Sequence, residues 1–144
     1  MALNLYQLDL DNSYYQVDNS AKKITAYHDA SDGSYEFSRF YLKNEPFSSG
    51  YENITITISV DGQTELPLSN NGIIYQLLSL PSGEAEVDND AWEHLPLTNE
   101  LSLAAIEAGV ESYRYFVLRT YVPRGHGANY ITEASLKVSA VEVV

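Results

Sequence analysis

The chain has 144 residues, 44% of them hydrophobic, with eight basic and twenty acidic side chains and a net charge of −12. That length suits one domain burying about two-thirds of its unfolded surface, and the lack of cysteine excludes disulfide frameworks, zinc–thiolate sites and thiol nucleophiles. The imbalance lies in one interval: from Lys43 to Arg114 there is no intervening Lys or Arg, while twelve acids fall there. Such a surface repels phosphate backbones, so no nucleic-acid partner is expected. It serves solubility, and the specific partner it would suit is a basic protein surface. No apolar run approaches the roughly eighteen residues of a membrane-spanning helix, so no membrane partner is expected either.

In chain order, Met1 to Leu10 carries no positive residue and no apolar core of leader length, and is not read as a signal peptide. Leu3–Leu10, Tyr14–Val17, Lys23–His28 and Tyr35–Leu42 read as strands, separated by turn formers at 11–13, 18–20 and 31–33. Residues 1–20 are expected to form either an edge strand or an extended arm of the single domain 1–144. Ile54 to Val60 alternates isoleucine with threonine and ends in Asp61-Gly62, a strand leading into a tight turn. Ile54, Ile56, Ile58 and Val60 then share a buried face. The return arm Gln63–Leu68 contains Pro67, which makes it short or places it at an edge. Ile73–Leu80 is an ambiguous apolar run, and residues 84–94 read as an acidic loop around Trp92.

The last third reads strand, turn, strand, loop, strand. Leu101–Ala108 fits a strand with an irregular end or a helical turn. Ser112–Val122 is a long strand closed by Pro123-Arg124-Gly125, and Ala134–Val138 opens the last. Parity divides the long strand: Phe116, Leu118, Thr120 and Val122 on the core side, Tyr113, Tyr115, Val117, Arg119 and Tyr121 on the other. Tyrosine and arginine are enriched where proteins meet, so Tyr113, Tyr115, Arg119 and Tyr121 are candidate interface residues. Arg124, a cation in a turn of an acidic protein, joins them. The plain alternative is that a loop or the second sheet covers this row. Eight to ten short strands without helices predict an all-β antiparallel sandwich, immunoglobulin-like or jelly-roll-like.

Chemical motifs are weak. His28-Asp29 and Glu93-His94 are adjacent pairs whose members point to opposite faces if they lie on strands. No nucleophile elbow, phosphate loop or zinc-binding His-Glu-x-x-His occurs. Asp88-Asn89-Asp90 with Glu84 and Glu86, and Asp9 with Asp11, are oxygen-rich but lack calcium-loop spacing. No catalytic residue, metal or cofactor is expected. Two lesser readings are a carbohydrate-binding module using Trp92 and loop tyrosines, and a small hydrolase using Glu93 and His94.

Phe40-Tyr41-Leu42-Lys43-Asn44, followed by Tyr51-Glu52-Asn53-Ile54, resembles a pattern in small β-sandwich virion proteins of tailed bacteriophages. Tyr115 to Arg119, then Val122-Pro123-Arg124-Gly125 and Tyr130, is similar to the same proteins and to immunoglobulin-like modules generally. The resemblance covers residues 35–60 and 95–144, about half the chain, through short motifs. It implies a non-enzymatic virion component assembled in the host cytoplasm. A capsid decoration or cement protein is its leading form; a neck, tail or fibre accessory protein is the alternative. Its partners would be other virion proteins and further copies of itself as a homo-oligomer.

Overall fold

The structure is a computed structural model describing residues 3–8, 14–17, 22–31, 33–45, 47–59, 73–80, 100–125 and 127–143. Among these, nine strands and no helix occur: β1 (Leu3–Leu8), β2 (Tyr14–Val17), β3 (Lys22–Ala30), β4 (Ser34–Asn44), β5 (Gly50–Ser59), β6 (Ile74–Leu80), β7 (Glu100–Leu103), β8 (Tyr113–Val122) and β9 (Gly127–Val143). They form a five-stranded sheet in the order β2-β1-β4-β8-β6 and a four-stranded sheet in the order β3-β9-β5-β7. Every pairing is antiparallel. The all-β sandwich expected from the alternating pattern is what forms.

From β3 onward, each successive strand lies in the opposite sheet from the one before it. The pairs β3 with β9, β4 with β8 and β5 with β7 are nested about β6, like one long hairpin rolled into two layers. That is jelly-roll wiring; in immunoglobulin wiring, some consecutive strands pair within a sheet. The first hairpin, β1–β2, adds to the free side of β4, with β2 outermost. Leu3 and Leu5 of β1 are completely buried, so this segment belongs to the core.

The core is the space between the sheets. Phe40, Leu42, Phe116 and Leu118 from one layer meet Ile54, Ile56, Ile58 and Leu136 from the other, all within 1% of complete burial. Phe40 and Phe116, opposite each other on β4 and β8, stack with centroids 5.1 Å apart. Each such side chain contributes roughly 1.5–3 kcal/mol by leaving water. The Ile/Thr alternation of 54–58 is read correctly: the isoleucines face in and the threonines out. Val60, the Asp61-Gly62 turn, the arm 63–68 and the loop 84–94 lie outside the described residues.

Three elements depart from expectation by more than a residue or two at an end. The fifth strand begins at Gly50 because an extra residue is accommodated: Glu52 pairs with Val141 but Thr55 with Ser139. This bulge places Asn53 at φ 53 and brings both Tyr51 and Ile54 inward. The ninth strand starts at Gly127, well before Ala134, because it serves β3 with its first part and β5 with its last. Leu101–Ala108 contains strand β7 and then an irregular stretch in which Ile106 makes a bridge with Tyr51, two hydrogen bonds of 2.8 Å. No helix long and apolar enough to cross a membrane occurs among the described residues.

Candidate interaction surface

A sandwich has two outward faces, and here they differ in chemistry. On the four-stranded sheet, register aligns Ser102, Thr55 and Ser139 in one rung and Glu100, Thr57 and Lys137 in the next. Ser59 and Ser135 follow. Hydroxyls and opposed charges make this stretch hydrated, while farther along the same side of β9 Val141 and Val143 are 51% and 41% exposed.

On the five-stranded sheet, Tyr6, Tyr41 and Tyr115 form one rung across β1, β4 and β8. Tyr6 and Tyr41 are stacked with centroids 4.7 Å apart and planes 3° from parallel. Tyr41 continues onto Tyr113 at 5.2 Å and Tyr115 at 5.5 Å. Farther along the same face, Tyr35 meets Tyr121 at 4.6 Å. Cross-strand aromatic pairs of this type stabilise a sheet by up to about 1 kcal/mol each. The ring separations match the spacing of strands; Tyr6 and Tyr41 turn their faces toward one another, whereas Tyr41 is tilted by 53° and 44° to Tyr113 and Tyr115, and Tyr35 by 31° to Tyr121.

The five candidate interface residues therefore share one region but not one role. Tyr113, Tyr115 and Tyr121 are half-buried in the aromatic rows. Arg119 is only 8% exposed. Its Nε donates to Gln76 Oε1 at 3.1 Å, directly across on β6, and its guanidinium lies 4.5 Å from the Tyr35 ring centroid. It stiffens the face more than it projects from it. Val117, on the same side, is also buried. Arg124 is exposed in the turn after β8.

At the other end of this face, polar groups form a chain. Tyr6 donates its hydroxyl to Glu45, and Asn4 also reaches Glu45 at 3.4 Å. Lys43 sits 4.0 Å from Glu45 and 3.5 Å from Glu111, with its ammonium 5.4 Å from the Tyr113 ring. The Tyr113 hydroxyl donates to Glu111 at 2.5 Å. The bond to Glu45, with burial behind it, pushes the Tyr6 phenol up to about 12. The bond to Glu111 raises that of Tyr113, and burial raises that of Tyr41. Glu111 is held below the usual carboxylate range by the Tyr113 hydroxyl and then by Lys43. Tyr6, Tyr41 and Tyr113 thus stay neutral phenols at ordinary pH.

Sequence reasoning missed several members. Tyr6, Tyr35, Phe37 and Tyr41 share the face because β1 and β4 pair in register with it; the signal available was the odd–even alternation of aromatics in 35–41. Phe37 is 49% exposed and Tyr35 52%. Arg114, by contrast, turns away: its Nε donates to Ala104 O at 2.9 Å and Nη2 to Ala105 O, clipping the preceding connection. No cluster of three His, Asp or Glu side chains suited to a metal occurs among the described residues. Glu84, Glu86, Asp88, Asp90, Trp92, Glu93 and His94, and likewise Asp9 and Asp11, lie outside them.

No family model matches the chain, and neither does any curated protein or any solved structure.

Proposed function

We propose that this chain is a non-enzymatic structural component of a bacteriophage particle, assembling with other particle proteins through the tyrosine-bearing face of its five-stranded sheet. The observation that carries this reading is the difference between the two outward faces: serine, threonine and opposed charges with two exposed valines, Val141 and Val143, on one, and rows of tyrosine with phenylalanine and arginine on the other. Large rigid aromatic side chains with a polar tip give contact area at low entropic cost. Holding them in rows before binding reduces what association must order. The jelly-roll wiring adds support of a general kind, since such double-sheet folds recur in capsid domains, although fold alone does not set function. The sequence resemblance in 35–60 and 95–144 supplies the particle context.

Jelly rolls also recur as lectins, but sugar stacking uses an open ring face. Tyr6 and Tyr41 each cover a ring face with the other, which favours a protein partner at that end, while Tyr35 and Phe37 stay about half exposed. A compact domain suits a head-decorating role, with neck, tail or fibre attachment as the alternative. Repetition of weak contacts over a symmetric scaffold supplies avidity.

The test is particle composition. Particles purified on a density gradient from cells carrying the gene are expected to contain the chain in fixed ratio to a shell or tail subunit. Recovery of the chain solely in the soluble fraction contradicts the reading.

A further inference from the structure

At the end of the sandwich where β4 gives way to β5, large apolar side chains stand in water. Phe47 and Val110 are 52% and 51% exposed, on neighbouring loops joined by Gly109 N donating to Phe47 O at 2.7 Å. Val143, opposite Gly50 at the end of β9, is exposed as well. The loops beneath them are firmly seated. The buried Asn44 donates through Nδ2 to Ser49 O at 3.2 Å and Val110 O at 2.9 Å, and accepts through Oδ1 from Ser112 N at 3.0 Å. Gly50 lets the chain at 106–108 pass close by, with Ala108 N 2.7 Å from where a side chain would begin. Exposed apolar groups gathered on a fixed support mark a contact site.

The charges around this tip are of one sign. Glu107, Glu111 and Glu142 are exposed there and Glu45 is half-buried. Ser49 Oγ donates to Glu142 at 2.9 Å, which ties that carboxylate to the Phe47 loop. All eight lysines and arginines of the chain have a described backbone position, so none is left to neutralise the tip from elsewhere. Lys22 and Lys23 pair with Leu136 and Ser135, and Lys137 with Thr57, well back along the four-stranded sheet. Arg39 and Arg119 lie farther along β4 and β8, and Arg124 in the turn past the far end of β8. The two that come near are taken: Lys43 by Glu45 and Glu111, Arg114 by Ala104 O and Ala105 O.

We infer that this tip docks on a different protein, one whose surface sets lysines and arginines around an apolar pocket, with Phe47 and Val110 as the anchors. Charge decides among the occupants. A nucleic acid or an anionic membrane meets its own sign here. A second copy, itself at −12, is repelled as it approaches. A basic surface is drawn in. An apolar centre inside a charged rim is the usual layout of a contact in which a few buried side chains carry the affinity, while the rim sets the association rate and its salt dependence. The tip is separate from the tyrosine face, and the inference does not rest on the particle reading. With that face, it gives the domain two attachment points.

The test pans a random peptide library on the immobilised full chain, then measures the selected peptides by fluorescence polarisation and by amide shifts in nitrogen-15 spectra. The selected peptides are expected to combine lysine or arginine with large apolar residues and to shift the amides of Phe47, Ser48 and Gly109 to Glu111. Phe47→Ser is expected to weaken them about tenfold or more, and so is raising salt from about 0.05 to 0.5 M. Glu107→Lys, at an exposed loop position, is expected to weaken them several-fold, and decides the matter should Phe47→Ser lose its β-sheet circular dichroism. A library that yields no binder overturns the inference, as do peptides without basic residues, binding indifferent to salt, or shifts confined to Tyr35, Phe37 and Tyr121. Sedimentation velocity of the chain alone tests the second copy: self-association that Phe47→Ser abolishes assigns the tip to another copy and overturns the basic partner. None of these readouts involves particles, so the particle reading stands or falls separately.

Discussion

Asn44 and Val110, 66 residues apart in sequence, are joined by a 2.9 Å hydrogen bond from a side-chain amide that is 1% exposed. With its bonds to Ser49 and Ser112, one buried amide satisfies three backbone groups on two loops. Leaving a buried polar group unpaired costs about 1–3 kcal/mol. Asn44→Ala is therefore expected to lower unfolding stability by about that amount in urea titration. Asn44→Asp retains the shape but sets a carboxylate against two carbonyls, and should be at least as damaging at neutral pH and milder in acid.

Gly50 is fixed by close approach. A side chain there would begin 2.7 Å from Ala108 N and 2.8 Å from Ile106 O, both backbone atoms. Gly50→Ala is expected to separate the Tyr51–Ile106 bridge and cost about 1–3 kcal/mol. Gly109→Ala has open space around it but φ +85, so its cost should be limited to roughly 1–2 kcal/mol of backbone strain. Thermal unfolding of the two variants distinguishes these mechanisms only if Gly50→Ala also accelerates amide exchange at Tyr51 and Ile106.

The tyrosine–carboxylate pairs predict behaviour at both pH extremes. Raising the Tyr6 phenol to about 12 means the folded protein holds that proton more tightly than the unfolded chain. The associated stability is full below about pH 10 and disappears as pH rises toward 12. Ultraviolet titration should show a late-ionising tyrosine that Glu45→Gln returns toward the ordinary value. Glu111 works in the opposite sense: its carboxylate is favoured in the fold. Its contribution is present above the usual carboxylate range and lost as pH falls through its lowered value.

The two sides of β5 should respond differently to truncation. Ile56→Ala removes a completely buried side chain and is expected to cost about 2–5 kcal/mol. Thr57→Ala, one residue on and facing outward, should change stability by no more than about 0.5 kcal/mol. Denaturant midpoints of the two variants check the strand's orientation.

Local pattern carried the strands and their sides. The β-branched alternation of 54–58 specifies which residues leave water and burial follows it, whereas in 116–122 parity finds the core side but Val117 and Arg119 on the other side are buried as well. Wiring was not legible, because it depends on pairings such as Lys22 with Leu136, far apart in sequence. The same reason hid Asn44, whose partners appear only when two distant loops meet, and the burial of Arg119, which needs Gln76 and Tyr35 beside it. The bulge at Asn53 left one local trace, an asparagine able to take a positive φ, between two residues that both face inward. The alternating aromatics of 35–41 were visible, yet joined the tyrosine row of β8 only through register.

The most direct measurement compares the two outward faces in particle binding. Tyr115→Ser with Tyr121→Ser alters one face; Thr55→Ala with Thr57→Ala alters the other, both sets first shown to fold by circular dichroism. With a tyrosine face that mediates assembly, the first pair is expected to reduce recovery of the chain on purified particles about tenfold or more, and the second to leave it unchanged. Equal recovery of both, or loss confined to the threonine variant, would contradict the account.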